Sequence, residues 1–306
     1  MKKDLLKMND LSKEEILDIL NLADQLKYEK KHNIIHHHLK GKSLGMIFEK
    51  SSTRTRVSFE TGMFQLGGNA LFLSSSDLQI GRGEPICDTA KVLSRYLDGI
   101  MIRTFKQKEI QTLAENSSIP IINGLTDDEH PCQVLADLMT IREYKNSFDG
   151  LKVCYIGDGN NMANSLIVGC LKVGMHFSIA SPKDYTIKDE YLTLANEIAD
   201  KAKVNFTLTT SPKEAIKDAD IVITDVWASM GQESEAQKRI KDFNGYCITP
   251  QLMKGAKEDS IVLHCLPAHR EEEISTEVFE KHQSSIFDEA ENRLHAQKAV
   301  LVKLLK

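Results

Sequence analysis

Apolar and polar residues alternate along this chain with two periods, and the alternation predicts its architecture. Ser12-Lys13-Glu14-Glu15 fits a capping box, flanked by Leu11 and Ile16 at the spacing of a hydrophobic staple. Ile16, Ile19, Leu20, Leu22, Ala23 and Leu26 continue as a stripe of roughly 3.6-residue period, so the first element is a helix. Short apolar runs then alternate with longer amphipathic ones. They predict strands at 44–48, 70–73, 99–102 and 119–122, separated by helices at 55–66, 85–97 and 108–115. A helix follows from about 131 to 144, with Pro131 in its first turn, where a missing N–H costs nothing. Asn146-Ser147-Phe148-Asp149-Gly150 breaks it, and the rhythm restarts with strands at 152–156, 176–180, 205–208, 221–224, 261–264 and 285–287. A last helix spans 292–305.

Strands that alternate with helices build parallel sheets covered on both faces. The expected fold is therefore α/β, with two doubly wound parallel-sheet domains joined by a long connector helix. Residues 1–145 form the first domain, ending in the 131–145 connector, and residues 146–306 form the second, whose 292–306 helix returns to pack on the first. A length of 306 residues is enough for two such cores. Thirty-nine Lys and Arg against 44 Asp and Glu leave a net charge of −5, without the basic excess of a dedicated nucleic-acid binder. No apolar run approaches the ~18 residues of a membrane span, and the cationic start Met1–Lys7 lacks a secretory apolar stretch. The six cysteines are scattered without a Cys-x-x-Cys pair, so they read as reduced thiols of a cytoplasmic protein, not as a disulfide framework or a zinc site.

In open α/β sheets ligands bind beyond the carboxyl ends of the strands, so the residues following each strand carry the chemistry. After the first strand comes Ser51-Ser52-Thr53-Arg54-Thr55-Arg56 at a helix start, where backbone N–H groups, hydroxyls and a guanidinium converge on an anion. An N-cap with arginines paired to Glu60 explains only part of this set, and the pattern is not that of a nucleotide P-loop. Arg103 follows a later strand, and His130 precedes Pro131 on the same rim, placed to polarise a carbonyl. In the second half, Gly157-Asp158-Gly159-Asn160-Asn161-Met162 resembles a dinucleotide fingerprint superficially. Met162 stands where a third glycine belongs, and Ser181-Pro182 stands where an acidic residue should meet a ribose, so a small carboxylate suits the loop better than NAD. Asp225-Val226-Trp227-Ala228-Ser229-Met230-Gly231 offers an acid and a hydroxyl for an ammonium group. His264-Cys265-Leu266-Pro267 either presents a thiol at the rim or buries it.

Ser52-Thr53-Arg54-Thr55-Arg56, Arg103, His130-Pro131-Cys132-Gln133, Asp225 with Ser229-Met230-Gly231, His264-Cys265-Leu266-Pro267 and Glu291-Asn292-Arg293 occur in this order across nearly the whole chain. Together they resemble the aspartate/ornithine carbamoyltransferase family. The first three motifs are shared by all its members; the Ser-Met-Gly and His-Cys-Leu-Pro motifs belong to the ornithine branch. The resemblance implies transfer of a carbamoyl group from carbamoyl phosphate to L-ornithine, giving L-citrulline and phosphate. It implies that Ser52, Thr53, Arg54 and Thr55 bind the phosphate, and that Arg103, His130 and Gln133 hold the phosphate and the carbamoyl group. Gln79 matches a residue that reaches into a neighbouring subunit's site in a homotrimer, and Arg293 matches a further contact to carbamoyl phosphate. Asn161, Asp225, Ser229 and Met230 match the ornithine grip, while Cys265 and Leu266 line the junction between the substrates. Arg56 is expected to serve structure.

Phosphate is a ready leaving group, so neither a metal nor an organic cofactor is expected. Arg103, His130 and Thr55 are assigned to the oxyanion, and Cys265 with Asp225 to the amine. Putrescine is the alternative acceptor, and a non-catalytic two-domain ligand-binding protein the alternative class. The segment 228–235 is read as a loop closing on ornithine after carbamoyl phosphate has bound, with Trp227 packed behind it. His36, His37 and His38 are read as a solvated turn.

Overall fold

Ser12 starts the first helix by exchanging hydrogen bonds with Glu15: its hydroxyl accepts the Glu15 N–H at 3.2 Å, and the Glu15 carboxylate accepts the Ser12 N–H at 3.0 Å. Leu11 and Ile16, the staple pair, are both buried. In the computed structural model, which describes residues 2–229 and 231–306, this helix belongs to the first of two units. One comprises Met1–Met139 with Glu291–Lys306, the other Thr140–Ala290.

The first unit runs α1 (Lys13–Lys31), β1 (Ser43–Phe48), α2 (Thr53–Gln65), β2 (Asn69–Ser74), α3 (Ile86–Leu93), β3 (Gly99–Arg103), α4 (Gln107–Asn116) and β4 (Ile121–Leu125). Its four strands are all parallel, in the order β2-β1-β3-β4. Ile47, Ile100 and Ile102 from the strands meet Ala90, Ile110 and Leu113 from the helices in one core cluster. The helix expected over 55–66 begins two residues earlier, because the Ser52 hydroxyl accepts the Thr55 N–H and caps α2. The helix expected over 85–97 stops at Leu93 and continues only as turns.

α5 (Pro131–Lys145) contains the first boundary between the units. The second unit continues with β5 (Lys152–Ile156), α6 (Asn161–Val173), β6 (His176–Ala180), α7 (Asp189–Ala202), β7 (Phe206–Thr209), α8 (Pro212–Ala215) and β8 (Ile221–Thr224). It closes with α9 (Ala236–Asp242), α10 (Pro250–Met253), β9 (Ile261–His264), α11 (Thr276–Lys281) and the beginning of α12 (Gln283–Leu305). Its five strands are parallel, in the order β7-β6-β5-β8-β9. The strand expected at 285–287 is helical and lies within α12. Ser285 donates its hydroxyl proton to His282 O at 2.9 Å and Val262 O at 2.7 Å, Ile286 is buried, and Phe287 is 54% exposed. One inward apolar side chain per turn satisfies a helix, and a three-residue run is too short for its period to be read.

His36 corrects a second expectation. It is buried, with Nδ1 on Ile34 O at 2.7 Å and Nε2 at 2.6 Å from the ammonium of Lys298, itself buried on α12. Burial pulls the Lys298 amine down to about 8. Only His37 of the three histidines is exposed. Three adjacent polar residues carry no periodic signal of burial, and the partner that explains His36 lies 262 positions away.

The strand orders place the chemistry. Winding reverses between β1 and β3 in the first sheet and between β5 and β8 in the second, so the loops leaving each pair diverge and open a crevice beyond their carboxyl ends. The loop after β5 needs glycine. Gly159 donates its N–H to Tyr185 O at 2.7 Å, and a Cβ there would overlap the backbone of Thr186 and Ile187. Gly159→Ala is expected to cost roughly 1–3 kcal/mol by overpacking, read as a Tm lowered by several degrees in scanning calorimetry; an unchanged Tm contradicts the close approach.

Candidate active site

In the first unit the residues expected to hold an anion collect at the switch between β1 and β3. Ser52 caps α2, which begins at Thr53 and carries Arg54 and Thr55 in its first turn; Thr55 is buried and Arg54 half-buried. The main chain of Arg103, the last residue of β3, accepts the Glu49 N–H at 2.9 Å, which ties the ends of the two strands together. From α12, buried Arg293 donates Nη1 to Gln133 Oε1 at 2.7 Å and Nη2 to Thr55 Oγ1 at 3.3 Å. Gln133 in turn donates to Asp137 Oδ1 at 2.8 Å, so the guanidinium is oriented from two sides.

His130 stands just before α5 and is buried. Burial holds its imidazole well below the usual histidine range, and the charges of Arg293, Arg103 and Arg54 push in the same direction. A neutral imidazole is a hydrogen-bond donor or acceptor that carries no charge of its own into a cationic site. Arg56, by contrast, points away from this set: it pairs with Glu60 at 3.1 Å and covers the Phe72 ring at 3.8 Å. Gln79 lies in a short turn at Gln79–Arg82 and is exposed.

In the second unit the switch between β5 and β8 brings together Asn160 and Asp225, and Cys265, the residue after β9, joins them. Buried Asp225 accepts the Asn160 amide on Oδ2 at 2.9 Å, and on Oδ1 both the Cys265 thiol at 3.1 Å and the Val226 N–H at 2.8 Å. Asn160 has both ends of its side-chain amide engaged. Its carbonyl caps α6 by accepting the Met162 and Ala163 N–H groups, and its amide turns to Asp225. Asn161, the first residue of α6, is buried; Ser229 and Leu266 are half-buried. The Ser229 main chain is tied to Gln232 by two bonds of 3.0 Å, one to the Gln232 side chain and one from its N–H. Met230 lies outside the described residues. Trp227 is buried, stacked on Phe243 at 5.4 Å.

Several supports were not visible as site residues in the sequence. His264 accepts the Leu266 N–H on Nδ1 at 2.9 Å and faces Glu273 through Nε2 at 3.0 Å, which braces the turn presenting Cys265. Leu266 takes a left-handed φ of 59°, a strained conformation for a non-glycine residue. The ligand atoms of Asp225, His264 and Cys265 lie within 4.8 Å of one another. Both nitrogens of His264 are already engaged, so the group reads as a hydrogen-bonded cluster rather than a cation cage. Asp158 and Arg239 form a further pair at 2.8 Å. Nothing in the polar pattern around Lys238-Arg239 marks that arginine, whose partner is 81 positions upstream.

Comparison with known proteins covers the chain from end to end. Residues 3–143 match the carbamoyl-P binding domain of aspartate/ornithine carbamoyltransferase, and residues 149–304 match its Asp/Orn binding domain. The chain is 57% identical to the ornithine carbamoyltransferase of Caldicellulosiruptor saccharolyticus over 97% of this chain and 96% of that protein. It is 55% identical to that of Bacillus subtilis over 99% and 94%. The solved structure of ornithine carbamoyltransferase from Pyrococcus furiosus superposes with a TM-score of 0.96 at 49% identity, covering 99% of this chain and 97% of that one.

The buried cationic setting of His130 gives a direct spectroscopic expectation. Its imidazole, with a pKa lowered by burial and three guanidiniums, stays neutral at pH 6, where a free histidine is mostly charged. Nitrogen NMR should show neutral-imidazole shifts at pH 6, in a signal removed by His130→Asn. An imidazolium signature assigned to His130 at that pH contradicts the electrostatics.

Proposed function

This chain belongs to the aspartate/ornithine carbamoyltransferase family and is a carbamoyltransferase; we propose that it joins the carbamoyl group of carbamoyl phosphate to the δ-amine of L-ornithine, giving L-citrulline and phosphate, by direct attack. The observation that carries the reading at residue level is buried His130, just before α5, where burial and the charges of Arg293, Arg103 and Arg54 all disfavour its protonation, together with the capped start of α2 that carries Arg54. An acyl phosphate brings a dianion for the guanidiniums and the helix start, and a carbonyl for an uncharged imidazole.

Ser52, Thr53, Arg54 and Thr55 hold the phosphate, with Arg293 oriented by Gln133 as a further donor. Attack on the carbonyl builds an oxyanion, which Arg103, His130 and Thr55 receive. The new N–C bond forms as that oxyanion develops, its collapse restores the carbonyl and breaks the C–O bond to phosphate, and a phosphate oxygen takes the proton that the amine releases. The departing group is stable as an anion, so no covalent intermediate on the protein is required.

The nucleophile carries the larger barrier. An amine with a pKa near 10.4 has a neutral form about 4.6 kcal/mol uphill at pH 7. Asp225 alone would deepen that cost by favouring the ammonium. Its two oxygens are shared among Asn160, Cys265 and Val226, so its charge is partly satisfied before substrate arrives. With the thiol proton turned to Asp225, the Cys265 sulfur presents lone pairs that align the amine, while Asn161, Ser229 and Met230 grip the amino-acid end of ornithine. An aspartate acceptor would bring an extra carboxylate against Asp225, and putrescine would leave the amino-acid grip empty.

The protein is assigned to the cytoplasm, to arginine biosynthesis and to a homotrimer in which Gln79 completes a neighbouring site. Support for self-assembly comes from the outer strand β2 and the adjoining α2, which expose Leu71, Phe72, Val57 and Phe64. Among the described residues no helix is long and apolar enough to cross a membrane.

Citrulline should form from carbamoyl phosphate and ornithine without added metal, with putrescine and aspartate giving little product; equal rates with the three acceptors contradict the ornithine grip. Arg103→Ala is expected to lower kcat on the order of 10²–10³-fold. Cys265→Ala is expected to lower it roughly 10²-fold through a misplaced amine; unchanged turnover and ornithine affinity remove Cys265 from the mechanism.

A further inference from the structure

One buried guanidinium outside the substrate set touches three pieces of chain that carry it. Arg239 on α9 is 7% exposed, and its Nη1 donates to Asp158 Oδ2 at 2.8 Å and to the main-chain carbonyl of Trp227 at 2.8 Å. Its Nε donates to Glu235 Oε2 at 3.2 Å, and its Cζ lies 4.9 Å from the centroid of the Tyr185 ring. Asp158 belongs to the loop after β5, two residues before Asn160, which bonds Asp225, and three before Asn161. Trp227 lies two residues after Asp225 and two before Ser229. Glu235 ends the stretch that returns from Ser229 to α9.

We propose that Arg239, through Asp158 and the Trp227 carbonyl, is the positioning residue that fixes Asn161 and Ser229 in register for the amino-acid end of ornithine. The inference rests on the assignment of those residues to ornithine. Nη1 alone serves a carboxylate on one loop and a carbonyl on the other, which sets their spacing, while Nε of the same rigid plane is held by Glu235; a lysine ammonium lacks that second in-plane donor. The pair is costly to keep, because burial pushes the Asp158 carboxyl up to about 6 even beside Arg239. Asp225 adds to that push, while the Gly159 N–H opposes it; Tyr155, which feels Asp158, and Glu235 and Tyr185, which face Arg239, complete the charged and titratable surroundings. A buried charge pair retained at such cost suits a requirement for geometry rather than stability alone.

The chain contains a single tryptophan, Trp227, so its fluorescence reports the carbonyl that Arg239 holds. The test compares the wild-type chain with Arg239→Lys, Arg239→Met and the near-isosteric Asp158→Asn, measuring KM for each substrate, kcat and Trp227 emission against pH. We expect Asp158→Asn and Arg239→Lys to raise the ornithine KM tenfold or more while the carbamoyl phosphate KM stays within about twofold. Wild-type Trp227 emission should change with a midpoint near pH 6, as Asp158 takes up a proton, and the change should be absent in Asp158→Asn. If Arg239→Met does not fold, the other two variants decide. An ornithine KM within twofold of wild type in those variants, or equal losses toward both substrates, overturns the proposal. Absence of citrulline formation by the wild-type chain instead rejects the assignment to ornithine, whereas the fluorescence titration tests the Arg239 link without any turnover.

Discussion

Like charges crowded around one buried imidazole are the constraint from which the first half of the chemistry follows. Arg54, Arg103 and Arg293 arrive from α2, β3 and α12, three elements far apart in sequence, and all three bear on His130. Such a cluster is held open by the sheet beneath it, and it is relieved by an anion that spreads its charge over several oxygens. The reversal of winding between β1 and β3 supplies the space, and the Ser52 cap supplies the helix start that completes the cradle.

The second unit solves a different problem with the same architecture. At its own switch point it sets one carboxylate, Asp225, among an amide, a thiol and a main-chain N–H. That arrangement moderates a charge which, left bare, would hold an amine in its unreactive form. The thiol sits on a turn braced by His264 and Glu273, and the loops after β5 and β8 are joined through Arg239 and Asp158. The guanidinium cluster and the hydrogen-bonded carboxylate thus occupy separate folding units, each with its own core.

Much of this was legible in the sequence because continuous apolar runs fix buried parallel strands almost to the residue. The spans 152–156, 176–180, 221–224 and 261–264 coincide with observed strands. The run at 285–287 misleads because three apolar and hydroxyl residues fit a helix turn as well as a strand. Residues that meet substrate chemistry cluster in short motifs after strands, where their types and spacing speak together. Residues that brace them do not: Arg239 finds Asp158 across 81 positions, and His36 finds Lys298 across 262. Such pairings exist only once the chain has folded, and single polar residues on amphipathic helices look the same whether they face water or a buried partner.

In the proposed mechanism the first unit holds and polarises an acyl phosphate without itself accepting the carbamoyl group, which passes straight to the amine. Isotope exchange between labelled inorganic phosphate and carbamoyl phosphate tests this most directly when ornithine and citrulline are both withheld. Direct transfer predicts no label in carbamoyl phosphate under those conditions. Enzyme-dependent exchange without any amine present would mean that the carbamoyl group rests on the protein, and would contradict the claim.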